Sequence, residues 1–215
     1  MSDRLFKFLR TDRLGPFSTV RWPTVGEWLD VPRPLRPCRN GLHVCTVADL
    51  PYWLSDELWE VEVAGERMGD QRKQVVERAR LQARITWWPE RGWELADDCL
   101  AVLRNFTSDE LQRAGRDRLP EQATKEALKE LVKREVGRVD VRLSAAGRSM
   151  LSFLSEALMY RADEPSGPAA AARHITFVTA YAADHVTRAQ RLPLGTTAFG
   201  LERSRQAAWF EARLG

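Results

Sequence analysis

The residues best suited to chemistry crowd into one short stretch. Residues 38–45 read Cys-Arg-Asn-Gly-Leu-His-Val-Cys, with two of the chain's three cysteines and one of its three histidines. Thiolate and imidazole are zinc donors and also the partners of nucleophilic thiol catalysis. Cys38, His43 and Cys45 match no common structural zinc spacing, and a fourth ligand would have to come from Cys99 on a distant helix. The expectation is therefore no metal, with the cysteines acting as small buried apolar residues. Thiol catalysis meets a geometric obstacle. Side chains two apart on a strand stand about 6–7 Å from each other, too far for direct proton transfer between His43 and Cys45.

These residues need a turn and a strand to present them. Asn40-Gly41 is a turn signal, and residues 42–45 read as a strand with His43 and Cys45 on one face and Leu42 and Val44 on the other. The three prolines of residues 31–37 exclude a central strand there and predict an extended surface segment. Upstream, residues 5–9 (Leu-Phe-Lys-Phe-Leu) read as an edge strand with Lys7 facing solvent, and Trp22 and Trp28 lie in a loop capping the core. Downstream, Thr46 caps a short helix over 47–54. A strand follows over 58–64, with Glu60 and Glu62 on one face and Gly65 at its end, and a last strand is predicted over 81–87.

Composition divides the chain. Seven of eight tryptophans lie at or before Trp93 and seven of eleven prolines at or before Pro89. Beyond them helix formers dominate. Helices are predicted over 93–106, from a Thr107-Ser-Asp-Glu110 capping box, over 121–136 burying Ala127, Leu128, Leu131 and Val132, over 145–161 with Met150, Leu151, Leu154 and Leu158 in one stripe, and over 169–190 and 201–214. Residues 139–143 read as extended and 163–168 as a loop. His174 and His185 share a helix face but stand three turns apart, too far for one metal, and read as solvent-facing. Trp209-Phe210 reads as core or a dimer contact. The expected fold class is α+β, a small N-terminal sheet module over residues 1–92 followed by a helical domain over 93–215.

Charge and hydropathy narrow the function. Net charge is +3, with 16 Lys/Arg against 16 Asp/Glu in residues 1–106 and 17 against 14 beyond. Nothing clusters into the basic stripe that nucleic-acid binding requires. No apolar run approaches the roughly 18 residues of a membrane span. The N-terminus has no secretory pattern, and an odd cysteine count points to reduced thiols in the cytoplasm.

The motif Cys-x-x-Gly-Leu-His-x-Cys of residues 38–45, with Pro51-Tyr-Trp53-Leu and Leu58-Trp-Glu-Val-Glu62, resembles a bacterial and phage domain family without assigned activity. The resemblance spans roughly residues 4–100. Glu202-Arg-x-x-Gln206-x-x-Trp209 is similar to the tail of some of its members. The order of the module (cationic first strand, long loop, Gly-hydrophobic strand, helix, Glu-bearing strand) also resembles the first half of ADP-ribosyltransferase folds. That layout implies NAD as ligand, framed by a basic residue, a strand-borne polar residue and a glutamate, with Lys7 standing where those folds carry Arg or His.

The functional expectation is thus a small-ligand or nucleotide-binding module, in its specific form ADP-ribosyltransferase-like and acting on NAD. His43, Glu60 and Glu62 are the catalytic candidates, and Lys7, Trp22, Cys38 and Cys45 the ligand-binding ones. The alternative is a non-catalytic module whose Trp-rich half binds a protein partner. A concave site around His43 favours the first and a flat apolar patch the second.

Overall fold

The computed structural model describes residues 4–70, 72–120, 126–127, 129–130, 133–134, 144–162, 164–189 and 197–215. It is α+β, an antiparallel sheet followed by helices. The chain forms two compact units, Met1–Arg91 with Gln206–Gly215, and Gly92–Arg205.

The first unit is built on a long hairpin, β4 (Glu57–Asp70) with β5 (Lys73–Arg84). β1 (Leu5–Leu9) lines the outer edge of β4, while β2 (Leu29–Asp30) and β3 (Leu42–Val44) pair with β5, all antiparallel. Beyond β3, the Phe6 N–H donates to the Cys45 carbonyl at 2.8 Å and the Cys45 N–H to the Phe6 carbonyl at 2.9 Å. This exchange joins the end of β3 to β1, so the pairing runs β1–β4–β5–β3 and back to β1 as a small closed barrel. The bridge gives Phe6 partners on the side of β1 away from β4, so β1 is not a fully open edge.

Closure also decides which way Lys7 points. Leu5 and Leu9 belong to the apolar interior, with Trp22, Leu42, Val44, Trp59, Val61, Val76 and Leu81. Period two puts Lys7 between them on that same face. Its amine lies 2.8 Å from the His43 carbonyl and 5.7 Å from the Trp22 ring centroid. The expectation of a solvent-facing Lys7 is corrected here. Phe6 and Phe8 take the other face, where Phe8 meets Trp88 at 5.4 Å and Phe210 at 6.4 Å, edge-on in both cases.

Two strand boundaries differ from expectation for one reason. Gly65, at φ +75°, does not end β4, and the register shifts between Ala64 and Arg67 as the strand continues to Asp70. The glycine makes a bulge that bends the hairpin. A Cβ at that position would stand 2.4 Å from Glu77 Oε2. With β4 longer, its partner starts at Lys73 rather than 81, and residues 86–91 are turns. The segment after Thr46 is a 3-10 helix, Val47–Tyr52, in which the Thr46 hydroxyl bonds Asp49 at 3.0 Å and not a backbone amide.

The helical unit packs α1 (Gly92–Arg113), α2 (Ala145–Ala162) and α3 (Gly167–Ala189) against one another. The start of α4 (Ala198–Leu214) also belongs to it. Met150, Leu151, Leu154 and Leu158 are all buried, as their stripe predicts. The expected break at residue 107 is absent, and α1 runs through it. The Thr107 hydroxyl bonds back to the Leu103 carbonyl at 2.7 Å, the mid-helix habit of threonine, so the capping-box pattern is coincidental here. Ala127 is exposed rather than buried, while Leu128, Leu131, Val132 and residues 139–143 lie outside the described residues. His174 and His185 serve as aromatic partners. His174 stacks on Tyr160 at 3.9 Å, and His185 meets Phe153 edge-on at 6.0 Å. Burial and the neighbouring Arg173 charge lower the His174 pKa, with Glu156 opposing.

Candidate functional site

A cavity of about 540 Å³ opens at the mouth of the barrel. That volume falls in the range of small-ligand sites. Lys7, Trp22, Cys38, His43 and Cys45 all line it, so five of the seven residues singled out from sequence converge.

The loop before β3 is shaped by its backbone. Arg36 and Asn40 exchange two backbone hydrogen bonds of 2.8 Å, which puts Cys38 at the loop tip with φ +62°. The Asn40 side-chain amide donates to the Pro32 and Pro34 carbonyls and pins the proline-rich segment beneath. Gly41, at φ +135°, passes so close to β5 that a Cβ there would fall 2.2 Å from Val75 Cγ1. Glycine is required at this position on both counts. β3 then sets His43 opposite Val75.

His43 Nε2 accepts the Cys38 N–H at 3.2 Å, which makes it the unprotonated ring nitrogen and ties the loop to the strand. The Cys38 thiol is exposed and stands 3.0 Å from the Lys73 amine. Cys45 is buried, its sulfur 3.6 Å from the Phe6 carbonyl, and burial pushes its thiol up to about 12. A thiol so far from ionising is no nucleophile at neutral pH. Among the described residues, no group of three His, Cys, Asp or Glu is disposed to hold a metal ion.

The electrostatics of the cavity are one-sided. Lys7, Arg39 and Lys73 line it together with His43, and among the described residues no Asp or Glu does. Burial brings the Lys7 amine down to about 8, the Cys45 sulfur opposes it, and the charge of Lys73 adds a smaller push downward. Aromatic rings lie beside these cations. Phe17 meets Trp53 edge-on at 6.3 Å, and the Lys73 amine sits 5.3 Å from the Trp53 ring centroid.

Glu60 and Glu62 are not among the lining residues. Arg4 holds Glu60 through two bonds of 3.0 Å, and Arg80 holds Glu62 at 2.9 and 2.7 Å with Gln82 beside it. The strand beside β3 is β5, not β4, so neither carboxylate's strand neighbours His43. Conversely, Lys73, Arg39, Trp53 and Phe17 escaped sequence reasoning. The polar break at residues 69–73 between two alternating stretches was the available signal for a hairpin ending at Lys73.

In the tail motif, Glu202 is buried and pairs with Arg205 at 2.8 Å, and Arg205 reaches the Cys99 sulfur at 3.3 Å. Burial pushes the Cys99 thiol up to about 12 despite that cation. Trp209 and Phe210 are buried in the first unit, 5.9 and 5.6 Å from Trp87 and Trp88 respectively. Comparison with protein-family models, curated proteins and solved structures found no match.

Proposed function

We propose that the first unit binds a small anionic ligand of nucleotide class in the barrel cavity. The observation that carries this reading is the lining itself, with the three basic side chains Lys7, Arg39 and Lys73, aromatic walls and, among the described residues, no carboxylate. An anion entering such a cavity meets no repulsion and takes charge-assisted hydrogen bonds. A flat ring attached to it finds Trp22, Trp53 and Phe17. Binding is favoured over ADP-ribosyl transfer, because transfer needs a glutamate facing the ligand and Glu60 and Glu62 are held by arginines elsewhere. Titration calorimetry with ADP-ribose, NAD and pyrophosphate tests the reading. Binding should weaken with salt and fall by about tenfold or more in Lys73→Ala, the usual cost of one charge-assisted bond. Failure of all three anions to bind overturns it.

The partner-binding alternative has one observation in its favour. Phe17 is 85% exposed, and Val20 and Val25 in the same loop are about half exposed. If an apolar partner seats there, Val25→Ser, at an exposed position outside the cavity lining, weakens that association and leaves anion binding unchanged.

A further inference from the structure

We infer that Lys7 is an amine nucleophile, and that the ligand class of the cavity includes aldehydes or ketones bearing an anionic group, which Lys7 captures as a reversible imine. The inference rests on the anionic-ligand reading and adds a bond to it. An imine-forming lysine must be neutral, reachable and next to whatever orients its partner. Lys7 lines the open cavity on the apolar face of β1, and its amine is held in place by the His43 carbonyl at 2.8 Å. That carbonyl accepts a hydrogen bond from one N–H of the neutral amine, which leaves the nitrogen lone pair for attack. Among the described residues no carboxylate lines the cavity to hold Lys7 in its ammonium form, while Lys73, also in the lining, favours the neutral form of Lys7.

The step is balanced without any co-reactant. The neutral Lys7 amine attacks the carbonyl carbon, forming the C–N bond as the C=O π bond breaks, and the oxygen takes a proton. Nitrogen then loses its remaining proton as the hydroxyl departs as water, giving the imine. Nothing is oxidised or reduced, and water reverses the sequence. The groups facing Lys7 are His43 and Cys45 from β3 and its extension, Lys73 from β5, and Cys38 and Arg39 from the preceding loop. Titration of Lys7 near pH 8 leaves on the order of one-tenth of it neutral at pH 7, about two orders of magnitude more than an ordinary lysine.

The test uses the full chain with pyridoxal 5′-phosphate, an aldehyde carrying a phosphate, followed by borohydride to reduce any imine, and peptide mass mapping. Pyridoxine 5′-phosphate, with the same ring and phosphate but no aldehyde, is titrated in parallel by calorimetry. The expected result is an adduct on Lys7 that forms on the order of a hundredfold faster than on the exposed Lys129 and Lys133. Its rate should climb through about pH 8 and be suppressed by pyridoxine 5′-phosphate. Lys7→Arg keeps the charge and should lose the adduct while still binding pyridoxine 5′-phosphate. Should that variant misfold, the mapping on the natural chain decides alone. Binding of pyridoxine 5′-phosphate with no adduct on Lys7, or with label spread evenly over the lysines, overturns the imine and leaves the anion reading standing. No binding of pyridoxine 5′-phosphate and no adduct on Lys7 overturns the imine, and the anion reading falls with it only where ADP-ribose, NAD and pyrophosphate also fail to bind.

Discussion

Lys7 is a residue that folding alone does not favour. An apolar side chain between Leu5 and Leu9 would contribute about 1.5–3 kcal/mol by burial, whereas an amine there is desolvated and lowered to about 8. Lys7→Met should therefore raise stability at pH 7 by about 1–2 kcal/mol, part of the gain being lost with the bond to the His43 carbonyl, and should abolish anion binding. The pH dependence follows from the direction of the shift. Between about pH 8 and the ordinary lysine value the unfolded chain binds more protons than the native one, so Lys7 destabilises less as pH rises through that window. Denaturant titrations of both proteins should show the advantage of methionine shrinking from pH 8 to pH 10. A constant or growing advantage would mean that Lys7 is not desolvated in solution. Comparing the two proteins cancels Cys99, and reading the trend below about pH 9 separates Lys7 from Cys45, whose raised thiol pKa acts in the opposite direction above that pH.

Among the elements, the turn into β3 decides whether the cavity exists. Gly41 combines φ +135° with the approach to Val75, and β3 depends on it for its register with β5. Gly41→Ala must relax both the backbone and that contact, at a cost of about 2–4 kcal/mol. A urea midpoint within error of the natural chain would show that the turn tolerates a side chain. Local pattern served this scale unevenly. The alternation of Leu58, Trp59, Glu60 and Val61 marked β4, and the apolar spacing of residues 150–158 marked α2. The breaks at Gly65 and Thr107 were misleading, since a glycine bends a paired strand and a threonine hydroxyl finds a carbonyl inside a helix.

At the scale of the molecule, the last ten residues count with the first unit although composition groups them with the helices. Phe210 is fully buried there, 6.4 Å from Phe8, 6.3 Å from Trp87 and 5.6 Å from Trp88. Phe210→Ala should cost about 3–5 kcal/mol, as for large core aromatics, with tryptophan fluorescence reporting the transition of the first unit. A loss under about 1 kcal/mol would mean that the sheet is stable without the tail.

The α+β class and the main helical stripes were legible because each rests on local periodicity or turn chemistry, whereas whether Cys38, His43 and Cys45 share one cavity was not. The tertiary structure alone decided that Lys7 faces inward, that Lys73 joins it and that Glu60 and Glu62 stay outside. The reason is closure. The Phe6–Cys45 bridge joins segments about forty residues apart, and it turns an apparent edge strand into a barrel wall. A cavity is the space left between such distant segments, and no local pattern encodes it.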